Sequence, residues 1–201
     1  MTINFRKTRF VGAAADLAQC PASDLPEIVL SGRSNVGKSS LINALADNRQ
    51  LAKISATPGK TRLIIYFNVD EKLLLTDLPG YGFARVSQQT RKTFSALADR
   101  YLESGRPIAL VLHLLDIRHN PSVQDLQMIE WLKSRNLESF VILSKSDKLS
   151  RSQALRRRKE IAVAIGVDQP DSLIILSTQN KTGIDELRDR ITSFFYPDTS
   201  S

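Results

Sequence analysis

The sequence predicts an α/β fold, a three-layer, doubly wound and mostly parallel sheet in one domain. Two observations carry this. Short apolar runs alternate with segments of helical period, and glycine-bearing or polar turns separate them. The length, 201 residues, suits one hydrophobic core.

Taken in order, Glu27–Ser31 reads as a strand. A Gly-rich turn follows, then a helix from about Lys38 to Ala46 in which Leu41, Ile42 and Leu45 share a face. Leu63–Val69 and Lys72–Thr76 read as two strands joined by a turn at Asp70. Residues 89–104 read as a helix, Ile108–Leu115 as a strand and 121–134 as a helix. Phe140–Ser144, a helix near 151–164, the strand Leu173–Leu176 and a helix over 183–195, begun near Thr182, complete the series. Residues 1–25 carry no strong pattern. They are expected to be an extension packed on, or leading into, a domain over 26–196, with Pro197–Ser201 a frayed tail.

Composition narrows the class. Hydrophobic residues make up 42% and charged residues 24%, as in ordinary soluble domains. The longest strongly apolar run, Ile108 to Ile117, contains His113 and Asp116 and is far shorter than the ~20 residues that cross a bilayer. No apolar signal region follows the basic start MTINFRKTRF, and Cys20 stands alone. Together these predict a cytoplasmic protein without internal disulfides. A net charge of +7 favours polyanionic partners such as RNA, as a steering effect.

Three motifs sit at predicted strand ends. Gly32-Arg33-Ser34-Asn35-Val36-Gly37-Lys38-Ser39 follows a strand and opens a helix, the context of the G-x-x-x-x-G-K-[ST] phosphate loop. There backbone N–H groups turn inward around phosphates, Lys38 reaches the β- and γ-phosphates, and Ser39 ligates Mg²⁺. Asp77-Leu78-Pro79-Gly80 ends a later apolar strand. That position lets Asp77 hold Mg²⁺ and Gly80 present its N–H to the γ-phosphate. Thr61, near Gly59 and Lys60, lies between the two motifs; it reads as a Mg²⁺ ligand that orders its loop, or as a plain strand residue.

The third motif, Ser144-Lys145-Ser146-Asp147, is similar to the [NT]-K-x-D guanine motif, with serine in first place. Asp147 can accept from guanine N1–H and N2–H₂ together while the Lys145 stem packs over the base. Adenine offers neither donor, so a dedicated acceptor selects GTP over ATP. The Ser144 hydroxyl can still tether adjoining loops. Leu176-Ser177-Thr178 follows the last strand, where a backbone N–H meets guanine O6.

GRSNVGKSS, TPGKT, DLPGYG, SKSD and the LST turn before NKTGIDEL resemble the EngB (YihA/YsxC) family of ribosome-biogenesis GTPases. That family belongs to the Era-like branch of the translation-factor-related P-loop GTPases. The resemblance spans about residues 5 to 195, and Phe83-Ala84 and Asp116-Ile117-Arg118-His119 look like further family features. It implies a Ras-like G domain that binds GTP and GDP with Mg²⁺. It also implies slow hydrolysis involving Lys38, Thr61 and Gly80, and a monomer acting on the large ribosomal subunit or its rRNA precursor, with a link to septum formation.

Tyr81 stands where many regulatory GTPases place a water-orienting glutamine, which predicts slow basal hydrolysis; nearby Arg85 reads as a solvated loop residue. Asn35 resembles an asparagine that coordinates K⁺ in related GTPases, against a simple turn role. Arg151, Arg156, Arg157, Arg158 and Lys159 share one predicted helix, which is either a solvated face or an rRNA contact. His113 reads as core and His119 as a helix cap. Two rival classes remain, a P-loop kinase and a division-site binding protein with incidental GTP affinity. The first leaves Lys145-x-Asp147 without a purpose.

Overall fold

The computed structural model describes residues 2–52, 63–81 and 97–197. Seven strands form one sheet: β1 (Thr8–Ala14), β2 (Glu27–Gly32), β3 (Ile64–Val69), β4 (Leu73–Asp77), β5 (Ile108–Asp116), β6 (Ser139–Ser144) and β7 (Ile174–Ile175). Their order is β1-β3-β4-β2-β5-β6-β7. The pairs β2–β4, β2–β5, β5–β6 and β6–β7 are parallel, while β3 pairs antiparallel with both β1 and β4. Every residue of β2, β3 and β4 is buried. This is the signature of strands covered on both faces, and it is why they read as apolar runs without alternation.

Helices cover both faces. Helices α1 (Lys38–Leu45) and α4 (Ile184–Phe195) bury Leu41, Ile42, Leu45, Leu187 and Ile191 against Ile28, Leu30, Leu110 and Leu112. On the opposite face a helical segment over 97–102 and α2 (Val123–Ser134) pack Tyr101 and Leu132 against Val29, Tyr66 and Val111. There too, α3 (Arg151–Ala164) packs Ala154 and Ile161 on Leu115 and Leu143. Ser122 and Ser150 begin α2 and α3 with complete capping boxes, paired with Asp125 and Gln153. Gly183 begins α4 at φ 73°, where a Cβ would lie 2.2 Å from the Ile175 carbonyl oxygen. Only glycine fits that turn. Among the described residues no helix is long and apolar enough to cross a membrane.

The predicted elements correspond to these within a residue or two at most ends, and α3 matches at both. The predicted helix 89–104 shows as helix over 97–102; residues 89–96 lie outside the described ones. One element was not foreseen. Thr8–Ala14 is an edge strand antiparallel to β3, with a register shift between Phe10 and Gly12. The shift breaks the period-two alternation that marks a strand in sequence, and the edge position leaves Phe10 and Val11 exposed. Ion pairs Lys7–Asp70 and Arg9–Glu71 tie this edge down.

At the far end of the sheet the Glu27 carboxylate is fully buried. Arg106 Nε donates to it at 2.8 Å, the Arg106 terminal nitrogen and the Tyr101 hydroxyl also donate to it, and the guanidinium lies 5.7 Å from the centroids of both Tyr66 and Tyr101. Removing the cation strands a buried charge. Arg106→Ala should therefore lower unfolding free energy by about 3 kcal/mol or more in urea titration. A loss under about 1 kcal/mol would show that Glu27 is compensated without Arg106.

Candidate functional site

The parallel strands β2, β4, β5 and β6 bring their carboxyl ends to one edge, the crevice where open α/β sheets bind ligands. After β2 the chain turns back through Gly32, at φ 145°, where a Cβ would meet the Leu114 carbonyl oxygen at 2.7 Å. Asn35 at φ 62° and Gly37 at φ 114° complete the turn. These left-handed torsions turn the chain back over the N-terminus of α1, the arrangement of an anion cradle.

Lys38 and Asp77 meet at the base of this loop, only 9% and 7% exposed. Lys38 Nζ lies 3.9 Å from Asp77 Oδ1, and the Ser39 hydroxyl donates to Oδ2 at 3.1 Å. Oδ1 itself is buried without a hydrogen-bond partner among the described residues. Burial pushes the Asp77 carboxyl up, while Lys38 and Ser39 pull it down. A buried carboxylate oxygen with spare acceptor capacity beside a serine hydroxyl is what a hard divalent cation needs. The residues present thus fit Mg²⁺.

Gly80 closes the cradle. A Cβ there would come within 2.8 Å of the Ser34 nitrogen and 3.0 Å of Lys38 Nζ, so a side chain is excluded. Ser34 donates its N–H to the Tyr81 carbonyl at 2.8 Å and its hydroxyl to the Gly80 carbonyl at 3.1 Å. Leu78 and Pro79 are buried beneath, with the Leu78 N–H on the Leu30 carbonyl.

The Lys-x-Asp turn lies at the end of β6, beyond β5 on the same edge. The Ser144 hydroxyl is 2.8 Å from the Val36 carbonyl and 3.0 Å from that of Leu115, so it ties the phosphate loop to β5 and β6. A serine in this place therefore serves as the tether. Lys145 sits at φ 63° with its ammonium 3.0 Å from Asp116 Oδ2. Burial would raise the Asp116 carboxyl, but hydrogen bonds from Arg118 and Lys145 outweigh it and hold it well below the usual carboxylate range. Asp116 is thus a residue the motifs did not assign: it fixes where the Lys145 stem runs.

The Ser146 N–H donates to the Leu176 carbonyl at 3.1 Å, and the Ser177 hydroxyl donates to Asp147 Oδ1 at 2.7 Å. That hydroxyl, with Lys148 at 3.1 Å from Oδ2, holds the Asp147 carboxyl low against its partial burial. The acceptor is ionised at neutral pH. Thr178 and Gln179 line a cleft of about 540 Å³ with Ser40, Asn43 and Lys181. The three motifs thus converge. Gly59, Lys60, Thr61, Phe83, Ala84 and Arg85 lie outside the described residues.

A phosphate cradle, a buried acid facing its lysine, and an ionised aspartate two residues past a lysine lie at the carboxyl ends of β2, β4 and β6 along one edge of the sheet. That combination defines the P-loop GTPases. The family described as "50S ribosome-binding GTPase" matches residues 27–145. "Probable GTP-binding protein EngB" from Clostridium perfringens strain 13 is 44% identical, over 93% of this chain and 95% of that protein. Its Streptococcus sanguinis counterpart is 40% identical, over 96% and 99%. The chain belongs to the EngB family of GTPases. A solved structure of a probable GTP-binding protein engB shares the fold at TM-score 0.70, with 22% identity over 82% of this chain and 96% of that one. Era in complex with MgGDPNP and nucleotides 1506–1542 of 16S ribosomal RNA shares it at TM-score 0.64, with 21% identity over 90% of this chain and 59% of that one.

Base choice tests the reading of Asp147. In Asp147→Asn an amide NH₂ faces the guanine amino group, at a cost of several kcal/mol, roughly. Xanthine carries an oxygen there, which accepts from that NH₂. The variant should lose affinity for fluorescent GDP and gain it for the XDP analogue. Retained guanine preference would mean that Asp147 does not read the base.

Proposed function

We propose that this GTPase is a slow, GTP-dependent switch acting on the large ribosomal subunit or its precursor in the cytoplasm, as a monomer. The observation that carries the reading is a basic surface outside the nucleotide site, on a chain of net charge +7. Arg151, Arg156 and Lys159 are exposed on α3. The family's description as 50S ribosome-binding and the rRNA in the Era complex support the same partner class.

The five basic residues of this helix divide. Arg157 donates to the Ile117 carbonyl at 3.1 Å and to Asn120 Oδ1 at 3.0 Å, which bolts α3 to the loop after β5. Arg158 pairs with Asp171. Both hold the fold, and three cations remain for a polyanion, Arg156 sharing one face with Glu160.

At the nucleotide, the cradle over Gly32–Ser39 and the Lys38 ammonium would bind the phosphates. Ser39 and Asp77, with Thr61, would hold Mg²⁺, which supplies charge neutralisation at the phosphate oxygens when bound. Asp147 and the Ser177-Thr178 turn would read guanine. No amide stands at position 81 to orient water, so the basal rate stays low. Asn35 would hold K⁺, which would supply positive charge against the charge that develops at the phosphates.

Ribosome binding should weaken steeply with salt, since each neutralised phosphate adds about 0.9 to the log–log slope on duplexes. Changing Arg151, Arg156 and Lys159 together to Ser should flatten that slope by about 2 to 3 in cosedimentation and leave GTP affinity intact. An unchanged slope would take α3 out of the interface.

The K⁺ reading predicts faster hydrolysis in KCl than in matched NaCl, and loss of that difference in Asn35→Gly. Glycine is chosen because φ at this position is 62° and an alanine would add strain. Equal wild-type rates in the two salts would end the idea.

A further inference from the structure

Gly80 is followed by a residue whose side chain the motifs leave without a task. The Tyr81 hydroxyl donates to Asp125 Oδ1 at 2.6 Å, on the first turn of α2. Asp125 is 3% exposed. Its other oxygen, Oδ2, accepts both the N–H and the hydroxyl of Ser122 at 2.7 Å. The carboxylate therefore caps the helix with one oxygen and holds the phenol with the other. The Tyr81 ring lies nearly parallel to the His113 imidazole, 15° between planes and 6.5 Å between centroids. His113 is fully buried within β5, and its Nε2 lies 3.5 Å from the phenol oxygen. Burial keeps that ring neutral at physiological pH, against the pull of Asp125.

The backbone on the other side of this side chain is the critical part. Ser34 grips the Gly80 and Tyr81 carbonyls, and Gly80 touches the phosphate loop so closely that only glycine passes. Ser34 alone cannot define the position of that backbone, because the grip lies on the phosphate-loop side only. The phenol supplies the second fixed point, on a different element.

We propose that Tyr81 and Asp125 are positioning residues of the GTP site: a phenol–carboxylate anchor, seated on His113, that holds the Gly80 backbone at the phosphate loop and ties it to the N-terminus of α2. This rests on the reading of Gly80 as the group that meets the γ-phosphate. Two consequences follow. The hydroxyl at position 81 is engaged by Asp125 and does not serve the attacking water. Any displacement of Gly80 is transmitted to α2, because the link is a short hydrogen bond to a buried, charged acceptor.

The test compares affinities for GDP and for a non-hydrolysable GTP analogue, with single-turnover hydrolysis alongside. Tyr81→Phe deletes one oxygen and keeps the ring. It should weaken the GTP analogue about tenfold and slow single-turnover hydrolysis, because Gly80 must then be ordered at the moment of binding. GDP, which has no γ-phosphate, should stay within about twofold. Asp125→Asn keeps an oxygen for Ser122 but turns an NH₂ toward the phenol, so its effect should be intermediate. The double variant should be no worse than Tyr81→Phe alone, since both act through one contact. Ser150→Ala weakens the cap of α3, away from the Tyr81–Asp125 contact; it should lower the melting temperature and leave the GTP-to-GDP ratio unchanged. A wild-type ratio in Tyr81→Phe, or losses that multiply in the double variant, would overturn the anchor. Gly80→Ala separates the two readings. If it weakens the GTP analogue while Tyr81→Phe does not, only the anchor fails. If it changes neither affinity, the role of Gly80 falls and the anchor with it.

Discussion

The Lys38 ammonium and the Asp77 carboxylate face each other 3.9 Å apart at a nearly dry sheet edge, and the surrounding architecture is arranged around that pair. Two opposite charges taken out of water are costly unless they are paired and solvated by other polar groups. Here the pairing is loose and incomplete. Asp77 keeps one oxygen without a hydrogen bond among the described residues, and its other oxygen has a single serine donor. A site left underdetermined in this way gains most from a triphosphate and a divalent cation, because each completes a shell the protein leaves open. At the opposite edge the buried Glu27 carboxylate is instead fully engaged, by Arg106 and Tyr101.

The Gly32–Ser39 loop and the Lys-x-Asp turn are not independent modules. Ser144 spans them: its hydroxyl sits between the Val36 carbonyl of the phosphate loop and the Leu115 carbonyl of β5. Asp116, one residue further along β5, takes the Lys145 ammonium. A shift in the phosphate loop is therefore felt by the Lys-x-Asp turn through a buried hydrogen bond. Asparagine or threonine fills the first motif position more often, yet the geometry asks only for one short donor reaching two carbonyls, and a serine meets it.

Charge is partitioned with similar economy. On α3, Arg157 and Arg158 are drawn into contacts with Asn120 and Asp171, whereas Arg151 and Lys159 stay exposed. Exposed pairs such as Arg156–Glu160 add little stability, so that face can exchange its partner for a polyanion at small cost. Arg157 cannot do so without giving up the Ile117 carbonyl and Asn120, in the loop that follows Asp116.

By itself the sequence determined the class of fold, the order of its motifs and the strand ends at which Gly32–Ser39, Asp77–Gly80 and Ser144–Asp147 stand. Strands covered on both faces read as apolar runs, and the phosphate loop depends on local torsions that Gly32, Gly37 and their neighbours encode directly. The first strand was illegible, because a bulge at Phe10–Gly12 breaks its alternation and an edge strand hides only one side. Other decisions belonged to the tertiary structure. The convergence of Asp125, His113 and Tyr81 unites a helix cap, a central strand and a loop that lie far apart in the chain. Which of five basic residues on α3 face solvent also depended on partners contributed by other elements. Periodicity records whether a side chain is buried, but not which distant group it meets. Hydrogen bonds between elements are set by the packing of the whole sheet, and so they become visible only once the chain is folded.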